Sequence, residues 1–226
     1  MHIAAFFRLE GVLTTRSTLG AAAWLASNAA GLGERLARLS NVALAAPLSL
    51  AGELQVGASR ARVTWMGTRG MSEDRLAVLG AEYAERFVVP SLLDEGVELV
   101  RAARRRRERV VLISDNIDLI ALPVADAVEA DDLLCNRLEM RKGRATGRLE
   151  APVIGGAVAG QWARKFAAEH GVDLLASSAY GASDGDSLLL SAIGKPCAVN
   201  PDGPLRRLAR DHDWPVVNHA CAQGGR

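Results

Sequence analysis

The feature that most constrains the fold is an apolar stretch near the start of the chain, residues 4–13, which reads AAFFRLEGVL. Its first four residues are continuously apolar, as in a parallel strand that is buried on both faces. The stretch then reaches Arg8 and Glu10 before Gly11 turns the chain. Because side chains two residues apart leave an extended strand on the same face, we expect Arg8 and Glu10 to point the same way. Ligands of open α/β sheets bind beyond the carboxyl ends of the strands, so this polar tip is the first candidate site.

Strand-like runs alternate with helical segments from about residue 89 onward. The predicted strands after the first are residues 110–113, 132–135, 173–180, 197–201 and 214–217. Turn residues in the middle of residues 138–149 predict a hairpin. Strands that alternate with helices indicate an α/β fold with a doubly wound parallel sheet.

Residues 17–88 have a different character, because helical patterns follow one another there with no strand-like run between them. We therefore expect this segment to form an all-helical cap that is inserted after the first strand. The predicted α/β core domain then consists of residues 1–16 plus 89–226.

Charge and cysteine usage exclude several classes of protein. The chain has 27 basic and 26 acidic residues, so no overall field would attract nucleic acid. Six arginines in residues 101–109 favour a solvated helix end over a binding patch. The chain contains no run of eighteen apolar residues, so we expect no membrane span. Three widely spaced cysteines are typical of a reducing compartment, and we expect a cytoplasmic protein.

The polar clusters at the strand ends resemble, in their order, those of the haloacid dehalogenase (HAD) superfamily. The resemblance is to the phosphoserine-phosphatase-like branch with a helical cap. Its strongest match is residues 194–202, GKPCAVNPD, which follow an acid-containing loop at residues 181–186. The resemblance covers nearly the whole chain and implies a HAD-like Rossmannoid core, a doubly wound parallel sheet with an inserted all-helical cap.

The resemblance also assigns roles to positions at the first two strand ends. In that family the first strand reads D-x-D-G-T/V-L, where the first Asp attacks the phosphoryl group and the second acts as general acid and base. Arg8 stands at the position of the nucleophile, and Glu10 stands at the position of the acid/base. Ser114 matches the family hydroxyl that hydrogen-bonds the phosphate.

Two further family positions are changed. The lysine that opens the helix before the third family strand is expected near Ala159, and the nearest lysine is Lys165. The two acids that the fourth cluster supplies to the metal fall on Ala182 and Asp186, with Asp184 between them. If a metal site survives, the resemblance implies Glu10, Asp186 and Asp184 as its ligands.

Arginine cannot serve as the nucleophile, because its guanidinium stays protonated and has no lone pair for attack on phosphorus. It also brings a fixed positive charge to the place where the family binds Mg²⁺. Two interpretations of Arg8 remain open. It forms an ion pair with Glu10 or Asp186 that fills a lost metal site, or it joins Ser114 in anchoring a phosphate group.

The sequence therefore leaves three hypotheses for function. The first is a catalytically degenerate pseudophosphatase that binds a protein partner or a phosphorylated small ligand and needs no cofactor. The second is a weak or altered Mg²⁺-dependent phosphomonoester hydrolase, in which Glu10 and Asp186 hold a metal ion that activates water. The third is a scaffold or dimerisation module that uses the cap, which allows for a homodimer.

Overall fold

The computed structural model describes residues 2–28, 64–155 and 158–218. Within these ranges, six parallel strands form the central sheet in the order β3-β2-β1-β6-β7-β8, and two antiparallel strands, β4 and β5, form a separate hairpin. The strands are β1 (Ala4–Arg8), β2 (Arg109–Ile117), β3 (Asp132–Asn136), β4 (Leu138–Arg141), β5 (Arg144–Leu149), β6 (Ser178–Gly181), β7 (Lys195–Val199) and β8 (Val216–Val217). The predicted α/β class and parallel sheet are confirmed.

Helices connect the strands, and local residues mark where individual helices begin or end. The Asp202 carboxylate accepts a hydrogen bond from a backbone N–H in the first turn of the helix that follows it, and Gly171 ends another helix with a φ of 65°. The α-helices of the described residues are α1 (Thr18–Ser27), α2 (Glu73–Tyr83), α3 (Asp94–Arg105), α4 (Asp118–Ala127), α5 (Ala159–His170), α6 (Ser187–Ser191) and α7 (Gly203–Asp211).

Strand β1 lies at the centre of the sheet, and all five of its residues are buried. It pairs with β2 on one side and β6 on the other. Phe7 stacks on Tyr180 on one face of the sheet, while Phe6 meets Phe166 edge-on in a second hydrophobic cluster. Because side chains of β1 enter both clusters, its continuous apolar run is explained by burial on two faces.

The predicted strand at residues 173–180 is wrong over its first five residues, because β6 begins only at Ser178. The Asp173 side chain accepts hydrogen bonds from the backbone amides of Leu175 and Ala176, which fixes a turn there. Leu175 consequently points outward and is 82% exposed.

The predicted cap spans residues 17–88, of which the structure describes residues 17–28 and 64–88. Residues 29–63 lie outside the described ranges. The described part is helical, as expected. It packs closely on the core: a Cβ added at Gly80 in α2 would lie 2.7 Å from the Leu119 carbonyl oxygen in α4. Residues of α1 and α2 also share one hydrophobic cluster with β1. The division into a cap and a core domain stays a prediction.

The arginine-rich segment is a solvated helix end. Helix α3 ends at Arg105, and beyond it Arg106 pairs with Glu108 at 2.9 Å and Arg109 pairs with Asp132. In the part of the chain that the structure describes, no helix is both long enough and apolar enough to cross a membrane.

Candidate functional site

Three neighbouring strands bring the predicted site residues to one edge of the sheet. Because β2, β1 and β6 are adjacent and parallel, their carboxyl ends meet there. Arg8 is the last residue of β1, and Ser114 lies near the end of β2. Asp186 follows β6 in a short 3₁₀ turn.

Arg8 is 3% exposed and lies among three carboxylates. Its Nη2 is 2.8 Å from Oδ1 of Asp115 and 3.6 Å from Oε2 of Glu10, and its Nε is 2.7 Å from Oδ1 of Asp186. The contact with Asp115 is an aligned hydrogen bond, whereas the contact with Asp186 is a close ionic approach without that alignment. One positive charge therefore faces three negative charges. With all four groups ionised, the cluster has a formal charge of about −2.

Glu10 is held by donors from the end of β2. Its Oε1 accepts hydrogen bonds from the Ser114 hydroxyl at 2.7 Å and from the Asn116 amide at 3.1 Å. Its Oε2 accepts one from the backbone N–H of Asp115 at 3.2 Å. The Ser114 hydroxyl, which the family resemblance assigns to phosphate, thus donates its hydrogen bond to the Glu10 carboxylate.

Asp186 is fixed by the turn in which it lies. Its Oδ2 accepts hydrogen bonds from the backbone N–H of Ala182 at 2.9 Å and from the backbone N–H and hydroxyl of Ser183 at 3.0 and 3.1 Å. The side chain is 2% exposed. Since the backbone amides occupy Oδ2, Oδ1 remains to face Arg8.

The ionisation of the cluster follows from burial and mutual attraction. Burial alone would lower the pKa of the Arg8 guanidinium, but Asp115, Asp186 and Glu10 together raise it above its ordinary value, so Arg8 stays charged. Burial and the neighbouring Asp115 raise the pKa of Glu10 above its ordinary value of 4.5, while Arg8 and Ser114 oppose the rise.

The other predicted positions lie apart from this cluster or carry no polar side chain. Asp184 meets a different acid, since its backbone N–H donates to Asp202 at 3.0 Å, and among the described residues its carboxylate is not one of the ion-pair partners of Arg8. Ala182 packs against Gly11, where an added Cβ would lie 2.5 Å from the Ala182 Cβ. Ala159 is buried at the start of α5, and Lys165 lies over the Trp162 ring at the surface.

Sequence reasoning missed Asp115 and Asn116, which complete the cluster. Both directly follow Ser114, and this adjacency was the available signal. A third residue supports them from β3: the buried Asn136 side chain donates to the backbone carbonyls of Asp115 and Ile154 and accepts from the N–H of Ile154. The end of β2 is therefore fixed on two sides.

The side chains present do not fit the Mg²⁺ ion that HAD phosphatases use. Mg²⁺ requires oxygen ligands in near-octahedral geometry, whereas the guanidinium of Arg8 lies between the carboxylates. Position 182 offers a methyl group in place of an oxygen. Across residues 2–28, 64–155 and 158–218, no group of three or more His, Cys, Asp or Glu side chains is arranged to hold a metal ion.

Comparison with known proteins gives a consistent family assignment. The family model for haloacid dehalogenase-like hydrolases matches residues 5–191. The Inhibition of morphological differentiation protein of Streptomyces azureus is 30% identical over 66% of this chain and 54% of its own length. Phosphoserine phosphatase SerB1 of Mycobacterium tuberculosis is 29% identical over 68% of this chain and 50% of its own length.

Solved structures agree on the fold. A Bordetella pertussis protein of unknown function superposes with a TM-score of 0.78 at 24% identity, covering 96% of this chain and 98% of that one. A substrate-bound phosphoserine phosphatase gives a TM-score of 0.69 at 15% identity, covering 96% and 93%. The chain spans about half the length of the curated relatives it matches first.

Proposed function

Because the chain belongs to the haloacid dehalogenase-like hydrolase family, we propose that it keeps the phosphatase-like fold without aspartyl-phosphate chemistry and acts by binding. The observation that carries the proposal is the pairing of Arg8 with Asp115 and Asp186 at 2.8 and 2.7 Å. A guanidinium in the nucleophile position cannot form a covalent phosphoryl intermediate. Its ion pairs also hold it in place, so no other group can approach phosphorus from that position.

Of the two kinds of ligand, a protein partner is favoured over a phosphorylated small molecule. A phosphate group would bring further negative charge to a cluster in which three carboxylates already surround one arginine. The Ser114 hydroxyl, moreover, already donates to Glu10. One observation keeps the phosphorylated ligand as a second candidate: within the described residues, Nη1 of Arg8 is buried with no hydrogen-bond partner.

The alternative of a weak Mg²⁺-dependent hydrolase rests on the phosphatase names of relatives such as SerB1. It would require Glu10 and Asp186 to bind a metal ion and activate water. Against it, the Glu10 oxygens accept three hydrogen bonds and the free oxygen of Asp186 faces Arg8.

Hydrolysis of p-nitrophenyl phosphate and phosphoserine in the presence of Mg²⁺ tests the proposal. We expect no turnover above buffer. Matched variants separate true activity from a contaminating phosphatase: Glu10→Gln and Asp186→Asn change the cluster, whereas Glu169→Gln changes an exposed acid outside it. Turnover that is lost in the first two variants and kept in the third would contradict the proposal and support the Mg²⁺-dependent hydrolase.

Calorimetric titration with inorganic phosphate and with phosphoserine then separates the two kinds of ligand. A protein-binding role predicts no saturable binding of either probe. A dissociation constant below about 100 μM that is lost in Arg8→Met would assign the phosphorylated ligand instead. Size-exclusion chromatography with light scattering tests the predicted homodimer and the scaffold role. A stable monomer would contradict the homodimer.

A further inference from the structure

The cluster around Arg8 has the composition of a cation site, but its cation belongs to the protein. Asp186 is 2% exposed in its side chain, and its Oδ1 has no aligned hydrogen bond in the described part of the chain. A buried carboxylate oxygen of this kind requires a positive charge beside it, because an isolated buried anion is very costly. The nearest positive charge is the Arg8 Nε at 2.7 Å.

Two further carboxylates lie beside the same guanidinium, one of them on the neighbouring strand β2. Oδ1 of Asp115 lies 2.8 Å from Nη2 of Arg8, and Oε2 of Glu10 lies 3.6 Å from the same nitrogen. Three acids on three sequence segments thus converge on one side chain that is itself 4% exposed. Surface ion pairs do not have this arrangement; Arg109, for comparison, has Asp132 as its one ion-pair partner among the described residues, and its side chain is 37% exposed.

We infer that Arg8 is a tethered cation that takes the place of a divalent metal ion among Glu10, Asp115 and Asp186, and that removing its side chain opens a site for a free divalent cation. The guanidinium occupies the space between the acids and supplies the positive charge there, so the intact protein should not bind a metal ion at this place. Without it, three carboxylates remain together with no counter-charge. Calcium is the most adaptable probe, because it accepts six to eight oxygen ligands at variable geometry, including water.

The inference concerns what this site binds and does not depend on the binding function proposed above. The two can fail separately: hydrolysis assays test the proposed function, whereas the present test measures thermal unfolding and ion binding. A wild-type protein that hydrolyses nothing would still overturn the inference if its stability depended on a divalent cation.

The test compares thermal unfolding of the wild type and of Arg8→Ala in EDTA and in 10 mM CaCl₂ or MgCl₂, with NaCl added to equal ionic strength. We expect the melting temperature of the wild type to change by less than about 1 °C, and that of Arg8→Ala to rise by about 5 °C or more in Ca²⁺. Equilibrium dialysis with ⁴⁵Ca²⁺ should find about one bound ion per Arg8→Ala chain and none on the wild type.

Two controls show whether the effect belongs to this cluster. Arg109→Ala also removes an arginine from an ion pair, but at the opposite end of β2, and its melting temperature should not respond to divalent cations. The double variant Arg8→Ala with Asp115→Asn removes one proposed ligand and should lose most of the Ca²⁺-dependent rise. A rise of equal size in Arg109→Ala, or one that survives in the double variant, would contradict the inference.

Folding of the variant is itself informative. If Arg8→Ala is unfolded in EDTA, the inference requires that Ca²⁺ restores its far-ultraviolet circular dichroism, and failure to do so overturns it. Arg8→Lys keeps a positive charge on the strand, so it should fold without a divalent cation and show a smaller Ca²⁺ response than Arg8→Ala. An equal response in the two variants would count against a role for the guanidinium as the resident cation.

Discussion

The Nε of Arg8 and Oδ1 of Asp186 face each other at 2.7 Å, and both side chains are almost completely buried. Burial of one charge without the other would be strongly unfavourable, so the two residues are energetically coupled. They also join the end of β1 to the turn after β6. The candidate site is therefore part of what holds adjacent strands of the sheet together.

Removing the charge of Arg8 should destabilise the protein substantially. We expect Arg8→Met, which roughly preserves volume, to lower the free energy of unfolding by about 3–5 kcal/mol, because it leaves buried carboxylates without a partner. Arg109→Met removes a more exposed arginine from an ion pair and should cost about 0–1 kcal/mol. Urea denaturation measures the free energy of unfolding of both variants. Equal losses would show that the ion pairs of Arg8 contribute no more than an ordinary surface ion pair.

Stability should depend on pH through Glu10. Its pKa is raised by burial and by Asp115, although Arg8 opposes the rise. In the pH range between the unfolded and folded pKa values, the folded protein binds more protons at Glu10 than the unfolded chain does. The contribution of Glu10 to stability is thus fully present below the unfolded pKa and is lost as pH rises through the folded pKa.

The isosteric variant Glu10→Gln isolates that effect, because it cannot titrate. Urea denaturation at several pH values from 4 to 8 should show wild-type stability falling relative to the variant as pH rises above about 4.5. A difference that stays constant over this range, or one of opposite sign, would mean that the pKa of Glu10 is not raised.

A close contact between helices α5 and α6 should make the substitution of Gly160 destabilising. A Cβ added at Gly160 in α5 would lie 2.6 Å from the carbonyl oxygen of Leu188, and that backbone atom has little freedom to move. Gly160→Ala should therefore destabilise the fold by about 1–3 kcal/mol. Gly203→Ala, at a helix start with no neighbouring atom within 4 Å, should change stability by less than about 1 kcal/mol. A comparable loss in both variants would argue against the close approach of α5 and α6.

The cysteines of the described residues should react slowly in the native protein. Burial, with Asp118 nearby, raises the pKa of the Cys135 thiol to about 12, and burial also raises the pKa of Cys197. The thiolate is the reactive form, so alkylation of Cys135 by iodoacetamide at pH 8 should be about 100-fold slower than in urea. Peptide mapping by mass spectrometry follows each cysteine separately, and rapid native labelling of the half-buried Cys135 would contradict its raised pKa.

The sequence was sufficient to predict the parallel sheet, because the apolar run of β1 and the alternation of strands with helices are strong local signals. It also predicted that Arg8, Glu10, Ser114 and Asp186 would come together, since parallel strand ends share one edge. It did not predict the role of Asp115. The pairing of β2 with β3 shifts register between Ile113 and Ile117, and such an irregularity redirects side chains in a way that alternation cannot anticipate.

The ion pair between Arg8 and Asp115 also limits how the chain can change in evolution. A single replacement of Arg8 by Asp would place four acids, at positions 8, 10, 115 and 186, at one sheet edge with no side-chain cation among them. Unless a divalent cation takes the place of the guanidinium, an acidic residue at position 8 is therefore tolerated best if Asp115 is lost first. Charge thus constrains the order in which positions 8 and 115 can be substituted.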